Sequence, residues 1–227
     1  MKIFVNAGHF DKAETPWVDD PGAVFGNLTD GGLAMQIRNR LITLKPEWEY
    51  VPDNLNLRES IDWVNARAMP GDLAIDIHMN FNNNVAIRGT EAYYSLNSHI
   101  ATVFAQHVAK ALGIPNRGAR HDSESSAGSL GWLRLTRCNA VIVECAYLSN
   151  AADRMTMESP SFRGLAADGI VNAVNEWKGV TVPATAVKLS INEIIAQLQK
   201  LIAELTKLLK QQGVKLGLWK GRNNDTK

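Results

Sequence analysis

The sequence contains only two cysteines, Cys138 and Cys145, in 227 residues. Two cysteines give no disulfide framework, which excludes a disulfide-rich scaffold. No stretch reaches the roughly 18 apolar residues that cross a membrane, and residues 1–6 are too short an apolar start for a secretory signal. We therefore expect a chain without a membrane span that is made and folds in a cytoplasm, and that acts elsewhere only after release.

The chain also lacks an excess of charge of either sign. Its formal net charge is +1, from 24 basic and 23 acidic side chains. Bulk charge therefore gives no argument for nucleic acid or a membrane surface as a partner. With 45% hydrophobic and 21% charged residues, the composition is typical of a globular protein with a sizeable core, and the length predicts one domain plus an appendage.

The clearest periodic segment is residues 73–78, where apolar residues alternate with others and two isoleucines are β-branched. This pattern is typical of a strand. Pro70 and Gly71 precede it, and an asparagine-rich loop follows it. His78 then lies at the carboxyl end of a central strand, where open α/β sheets bind ligands. A histidine there can also be a structural hydrogen-bonding group, and this strand alone does not decide between the two.

Two other predicted strands end in residues of similar chemistry. Residues 3–5 form a short apolar strand that runs through Gly8, which permits a sharp turn, into His9. Residues 140–143 are apolar, as in a strand covered on both faces, and lead to Glu144. Two imidazoles and one carboxylate ligand with an open position make a catalytic zinc site, and a further carboxylate can transfer the proton of water. Glu144 either serves such a site or leaves the sheet into solvent.

Helical periodicity separates the predicted strands. In the last helix, Leu165, Ile170 and Val174 are predicted to face inward. The four helical patterns occupy residues 33–41, 57–64, 99–112 and 162–177.

Further strands are predicted at residues 49–51 and 88–94. Residues 116–131 are rich in glycine, serine and charge, and we expect a loop over the sheet edge there, followed by a short strand or turn at residues 132–135. Strands that alternate with helices in this way predict an α/β fold with a largely parallel sheet.

Beyond this region the pattern changes. Residues 180–188 contain a proline and small residues and are predicted to be a linker. Over residues 189–212 apolar residues alternate spacings of three and four, and a second apolar row seven residues apart widens the stripe. Residues 189–227 are thus predicted to form an amphipathic heptad helix with a polar tail. This helix either docks on the preceding domain or self-associates, and we favour a homo-oligomer; its mixed flanking charges disfavour a membrane-surface helix.

Four segments, in this order, resemble the zinc-dependent N-acetylmuramoyl-L-alanine amidases that cleave peptidoglycan, the family called amidase type three. The resemblance runs from Lys2 to about Trp177. It implies that residues 1–179 are a zinc amidase catalytic domain, with a mixed twisted sheet flanked by helices and peptidoglycan as the partner. The four segments are Gly8-His9 with the later residues 20–23, residues 77–80 around His78, residues 88–94, and residues 140–150 around Glu144.

The resemblance implies His9 and His78 as zinc ligands and Glu144 as the catalytic base. The third ligand in the family is a glutamate ahead of the first helix, and no glutamate stands there in this chain. Asp30 is the nearest carboxylate at about the right interval, although composition alone makes it, or Thr29, the N-cap of that helix. The rival carboxylates for the metal, all nearer His9 in sequence, are Asp11, Glu14, Asp19 and Asp20.

The sequence thus predicts a zinc amidase that hydrolyses the bond between the lactyl group of N-acetylmuramic acid and the L-alanine of the stem peptide. Asn80 and Arg88 are predicted to line the substrate cleft. Family members without a signal peptide include phage lytic enzymes, so we expect a bacteriolytic endolysin that acts on the cell wall after release. The alternatives are a wall-binding protein of the same fold that is catalytically impaired because its third ligand is altered, and a zinc peptidase acting on stem peptides.

Overall fold

A computed structural model describes residues 1–9 and 20–179, and six further residues at positions 199, 200, 202–204 and 206. The chain divides into two compact units, Met1–Thr181 and Val182–Lys227. The six described residues of the second unit are helical. The predicted linker, most of the heptad helix and three rival carboxylates, Asp11, Glu14 and Asp19, lie outside the described residues. Among the residues described, no helix has the length and apolar character needed to cross a membrane.

A six-stranded sheet forms the centre of the first unit, in the order β4-β1-β5-β8-β6-β7. Neighbouring strands are parallel except at one junction, where β6 runs antiparallel to β8. The prediction of a mixed, largely parallel sheet flanked by helices is therefore confirmed. The strands of this sheet are β1 (Ile3–Ala7), β4 (Glu49–Tyr50), β5 (Leu73–Asn80), β6 (Thr90–Tyr94), β7 (Asn116–His121) and β8 (Asn139–Tyr147).

Helices cover both faces of the sheet. The larger hydrophobic cluster joins one face to α1, α3 and α6, and the smaller cluster joins the other face to α2 and α4. A short hairpin, β2 (Val24–Phe25) and β3 (Leu28–Thr29), precedes the first helix. The helices are α1 (Asp30–Leu44), α2 (Leu57–Asn65), α3 (Ser98–Leu112), α4 (Gly131–Leu135), α5 (Ala151–Glu158) and α6 (Phe162–Trp177).

The alternation along β5 explains how the sheet carries a site as well as a core. Ile75 and Ile77 are fully buried in the larger cluster, and burying each such side chain stabilises the fold by about 1.5–3 kcal/mol. Ala74 belongs to the smaller cluster on the opposite face. Because successive side chains of a strand alternate between faces, Asp76 and His78 continue the face of Ala74 towards the carboxyl edge. The polar residues of the site thus follow the smaller hydrophobic cluster along the same face of β5.

Three predictions about local structure are wrong. Residues 116–131 begin with strand β7 and continue through a 3-10 turn at Asp122–Glu124; β7 is polar because it pairs only with β6 at the sheet edge. Residues 132–135 belong to helix α4 rather than to a strand or turn. In α6, Leu165 is 37% exposed and the neighbouring Ala166 is buried in its place, because the apolar face of this helix is set by small residues.

Candidate metal centre and active-site cleft

Three neighbouring parallel strands bring the predicted site residues together. In strand β5, Ile77 pairs with Ala7 of β1, and His78 pairs directly with Glu144 of β8. The carboxyl ends of parallel strands meet at one edge of a sheet, where ligands bind in folds of this type. His9, His78 and Glu144 all line a cleft of about 640 Å³ at this edge.

Asp30 completes a cluster with the two histidines. Its Oδ2 lies 3.2 Å from His9 Nε2 and 3.3 Å from His78 Nδ1. One potential ligand atom from each of the three residues lies within 4.8 Å of the others. Two imidazole nitrogens and one carboxylate oxygen form a donor set that zinc commonly takes in catalytic sites. The structure therefore contains a candidate metal centre made of the predicted ligands.

A second layer of groups orients these three residues. His9 Nδ1 lies 2.9 Å from Asp20 Oδ2, and His78 Nε2 lies 3.1 Å from Asp76 Oδ2. The Met79 backbone N–H donates to Asp30 Oδ1 across 2.7 Å. These contacts engage His9 Nδ1, His78 Nε2 and Asp30 Oδ1. The remaining atoms, His9 Nε2, His78 Nδ1 and Asp30 Oδ2, face one another at the centre. Such outer hydrogen bonds fix the orientation and tautomer of metal-binding histidines.

The electrostatics of the cluster favour a cation. Burial acts to lower the pKa of both histidines, but carboxylates outweigh it: Asp30 and Asp20 raise the pKa of His9, and Asp76 and Asp30 raise the pKa of His78 well above its ordinary value. Burial acts to raise the pKa of Asp30, yet the two histidines hold it below its ordinary value. A bound cation can replace the protons that this environment stabilises, so the residues present fit a divalent metal.

Backbone geometry at the end of β1 differs from what the sequence predicts. The residue with a left-handed backbone is His9, at φ 63°, the one non-glycine with positive φ among residues 1–9 and 20–179. Gly8 is not in that region, so its predicted role as the turn residue is wrong. A Cβ at Gly8 would instead overlap the His78 ring, lying 2.6 Å from Nδ1 and closer to Cε1 and Nε2. Glycine is required there because the imidazole packs against the backbone.

The structure at the start of α1 shows that Asp30 is not the helix N-cap, which was one of the two roles that the sequence left open for it, the other being metal ligand. The N-cap is Thr29, whose hydroxyl accepts the Gly32 N–H at 3.1 Å. Asp30 is the first helical residue and only 3% of it is exposed. Its backbone N–H donates to the Ala23 carbonyl at 2.9 Å, which ties the helix start to the segment that carries Asp20. Asp20 itself lies behind His9 rather than among the three converging residues.

Glu144 lies beside the cluster, directly opposite His78 in the neighbouring strand. Its Oε2 is fully buried and has no hydrogen-bond partner within the part of the chain that the structure describes. Burial raises the pKa of Glu144 to about 8, and the charges of Asp30 and Glu91 act in the same direction. A carboxyl group with a pKa near neutrality is suited to accept and donate a proton. This position is consistent with proton transfer in the cleft.

Of the two residues predicted to contact substrate, the structure brings one to the cleft. Asn80 lines it. Arg88 is not among the lining residues, because its Nε binds Asp153 Oδ1 at 3.0 Å. The same carboxylate accepts the Gly89 N–H, so Arg88 anchors a loop to helix α5.

Residues missed by the sequence argument also shape the site. Asp76 could have been found, because it lies two residues before His78 and therefore on the same face of β5. Glu91 lies in the segment of residues 88–94 that resembles the family, but no role was predicted for it, since most of its partners come from other strands. Apolar side chains also line the cleft, among them Leu55, Leu57, Leu130, Trp132 and Ile142.

A mixed α/β sheet here carries, at one edge, a His–Asp–His cluster that could hold a metal ion, with the carboxyl group of Glu144 beside it. The chain belongs to the N-acetylmuramoyl-L-alanine amidase family, amidase type three, which matches residues 3–176. The family predicted from the motifs is confirmed.

Individual relatives agree with this assignment. The N-acetylmuramoyl-L-alanine amidase LytC of Bacillus subtilis is 24% identical over 181 residues, which cover 74% of this chain and 34% of LytC. An uncharacterized cell wall amidase of Bacillus anthracis is 30% identical over 135 residues, covering 52% of this chain and 24% of the relative. The chain thus spans about a third or less of these curated relatives.

Solved structures share the fold over most of the chain. The catalytic domain of CwlV, an N-acetylmuramoyl-L-alanine amidase from Bacillus (Paenibacillus) polymyxa var. colistinus, superposes with a TM-score of 0.65 at 27% identity, covering 80% of this chain and all of that one. An N-acetylmuramoyl-L-alanine amidase from Clostridium difficile 630 superposes with a TM-score of 0.66 at 17% identity, covering 78% and 96%.

Proposed function

We propose that this protein is a zinc-dependent amidase that hydrolyses the amide bond between N-acetylmuramic acid and L-alanine in peptidoglycan. The observation that carries the proposal is the convergence of His9, Asp30 and His78 in a chain of this family, beside Glu144, whose buried Oε2 has no partner among the described residues. Its relatives are N-acetylmuramoyl-L-alanine amidases and an uncharacterized cell wall amidase.

His9 Nε2, Asp30 Oδ2 and His78 Nδ1 would hold the metal, because these atoms face one another while the opposite atoms are engaged elsewhere. When bound, zinc would supply Lewis acidity, which polarises a carbonyl group and lowers the pKa of a water molecule to about 7. Asp20 and Asp76 keep the imidazole rings in place from behind. Aspartate is one methylene shorter than glutamate, and the buried first turn of α1 brings its carboxylate into reach.

Glu144 would act as the catalytic base. Its position next to His78 allows Oε2 to accept a proton from the attacking water and to deliver it to the amine nitrogen of the departing L-alanine. The low exposure of Oε2 favours proton transfer, because the ionised form is poorly solvated there. The apolar side chains that line the cleft give the substrate a surface to pack against.

Digestion of purified peptidoglycan by the zinc-loaded protein tests the proposal. Mass spectrometry of the released fragments should show new L-alanine amino termini and intact muramic acid. Fragments opened at another peptide bond would indicate a peptidase, and binding without release would indicate a wall-binding protein.

The Glu144→Gln variant tests the base separately. It keeps the shape of the side chain but removes the basic oxygen, so zinc content should stay unchanged while kcat falls at least about 100-fold, or roughly 3 kcal/mol of barrier. A variant that keeps most of the wild-type rate at equal zinc content would show that Glu144 is not the base.

A further inference from the structure

Glu91 is a buried carboxylate that the proposed chemistry does not use. It is 2% exposed and pairs directly with Glu144 across the antiparallel β6–β8 junction. Its Oε2 accepts from Arg117 Nε at 2.8 Å, and Arg120 Nε lies 3.6 Å from the same oxygen. Three more donors reach Oε1, at 2.9, 3.1 and 2.8 Å, from Asn80 Nδ2, the Tyr93 hydroxyl and the Tyr147 hydroxyl.

Packing alone does not explain why position 91 carries a buried carboxylate. Removing a carboxylate from water is unfavourable unless charged and hydrogen-bonding partners compensate for it, and an apolar replacement is often as stable. Here Arg117 supplies the opposite charge and the two tyrosines complete the hydrogen bonding. What the carboxylate provides, and an apolar residue could not, is a fixed acceptor for the amide of Asn80.

The amide of Asn80 has one preferred orientation as a result. Its Nδ2 donates to Glu91, while its Oδ1 accepts the Phe81 backbone N–H at 2.7 Å. Turning the amide over would place an oxygen against the carboxylate and an NH2 group against an N–H, so that orientation is strongly disfavoured. Asn80 lines the cleft two residues after His78. One Nδ2 N–H goes to Glu91, and the Asn80 side chain also hydrogen-bonds to the Tyr93 hydroxyl. The second lone pair of Oδ1 is therefore the group left for a ligand.

We propose that Glu91 is a positioning residue for substrate. It holds Asn80 so that the carboxamide oxygen accepts a hydrogen bond from a backbone N–H of the stem peptide, next to Glu144. Arg117 from β7 and Tyr147 from β8 anchor Glu91 on both sides of β6, so the orientation exists before substrate arrives. The substrate named here rests on the proposed amidase function, whereas the dependence of Asn80 on Glu91 does not.

The chain offers a matched control at the amino end of β5, the end of this strand that lies away from the cleft. Asp72 is also a buried carboxylate, 4% exposed, and it accepts the backbone N–H groups of Lys2 and Met69 at 2.6 and 2.8 Å. It precedes β5, whereas Asn80 ends that strand, which puts them on the order of 20 Å apart. Glu91→Gln and Asp72→Asn each exchange a buried carboxylate for an amide, so both lower stability, but only the first should alter the handling of substrate.

The experiment measures steady-state hydrolysis of a soluble N-acetylmuramoyl peptide by the full, zinc-loaded chain, at a temperature where circular dichroism shows each variant folded. Glu91→Gln should lower kcat/KM at least 10-fold with unchanged zinc content, and Asp72→Asn should stay within threefold of the wild type. In an Asn80→Ala background, adding Glu91→Gln should change kcat/KM less than twofold. Wild-type kinetics for Glu91→Gln, or an equal loss in both backgrounds, would overturn the proposal.

A milder variant covers the case in which Glu91→Gln does not fold. Tyr147→Phe removes one donor to Oε1 and keeps the carboxylate, so kcat/KM should fall two- to fivefold in the wild type and not in Asn80→Ala. No difference between the two backgrounds would refute a role through Asn80. If the wild type cleaves no amide, the proposed function fails, and the same variants are compared by the dissociation constant for the muramoyl peptide, which tests the role of Glu91 by itself.

Discussion

Replacing Gly8 by alanine should damage the metal centre without touching any ligand. Gly8 does not have a positive φ, so alanine meets no left-handed backbone strain there. The added Cβ would lie 2.6 Å from His78 Nδ1, whereas ordinary van der Waals contact begins at about 3.4 Å. The ring must therefore move by at least about 0.8 Å, the difference between these distances.

The His78 ring has little freedom to make that move. Its Nε2 is hydrogen-bonded to Asp76 and its Nδ1 faces Asp30, so a displacement of the ring disrupts the contacts with both carboxylates. Metal–ligand distances tolerate only about 0.2 Å. We expect zinc affinity to fall at least 100-fold, about 2.7 kcal/mol. At saturating zinc the activity should still be reduced, on the order of 100-fold, because a 1 Å displacement of a reacting group commonly has that effect.

Competition with a chromophoric zinc chelator measures the affinity, and hydrolysis of a muramoyl peptide measures the activity. Gly164→Ala is the matched control, since a Cβ at Gly164 in α6 has nothing within 4 Å and alanine favours a helix over glycine. That variant should bind zinc normally and unfold at a slightly higher temperature. A Gly8→Ala protein with wild-type zinc affinity and activity would refute the argument that packing on Gly8 holds His78.

Three further predictions concern the third ligand, the pH dependence of stability and the second unit. Asp30→Ala should lose stoichiometric zinc and Asp30→Glu should keep part of the activity; an alanine variant that holds zinc and still lyses walls would move the third ligand into the segment after His9. Because burial raises the pKa of Glu144 to about 8, ionising it destabilises the folded state, so the metal-free protein should lose stability as the pH rises from about 4.5 through 8. A pKa raised by one corresponds to about 1.4 kcal/mol, and urea unfolding of metal-free Glu144→Gln should show a smaller loss, of which the part above about pH 6.5 remains because the pKa values of His9 and His78 are also raised; equal slopes for both proteins would contradict it. Truncation after Lys178 should leave a folded domain and change the assembly state, and equal monomer masses by light scattering for both chains would remove the oligomer hypothesis.

The core strands and the residues at their ends could be predicted from the sequence because their signal is local. The alternation over β5 and the apolar run of β8 place His78 and Glu144 at strand ends without knowledge of the partners. The edge strand β7 could not be found this way, since its side chains are polar and its assignment depends on pairing with β6.

Other features depend on contacts between distant parts of the chain. Arg88 looked available for substrate because its partner, Asp153, lies 65 residues away. Glu91 is similarly defined by Arg117 and Tyr147, which local periodicity does not connect to it. Asp30 combined two local signals, an N-cap position and an acidic side chain, and the actual N-cap is the residue before it.

The reversed direction of β6 has a consequence for engineering this domain. Because β6 runs antiparallel to β8, the chain leaves β5 after Asn80 and enters β6 at Thr90 along the same edge of the sheet. The connecting residues 81–89 therefore leave the sheet beside the cleft at Phe81 and return to the same edge of the sheet at Gly89, so both anchor points are held by the sheet. Segments grafted between these points would vary the rim of the cleft while the ligands, which are carried by other connections, stay in register. Substrate selectivity could in this way be redesigned in a single loop, independently of the metal centre.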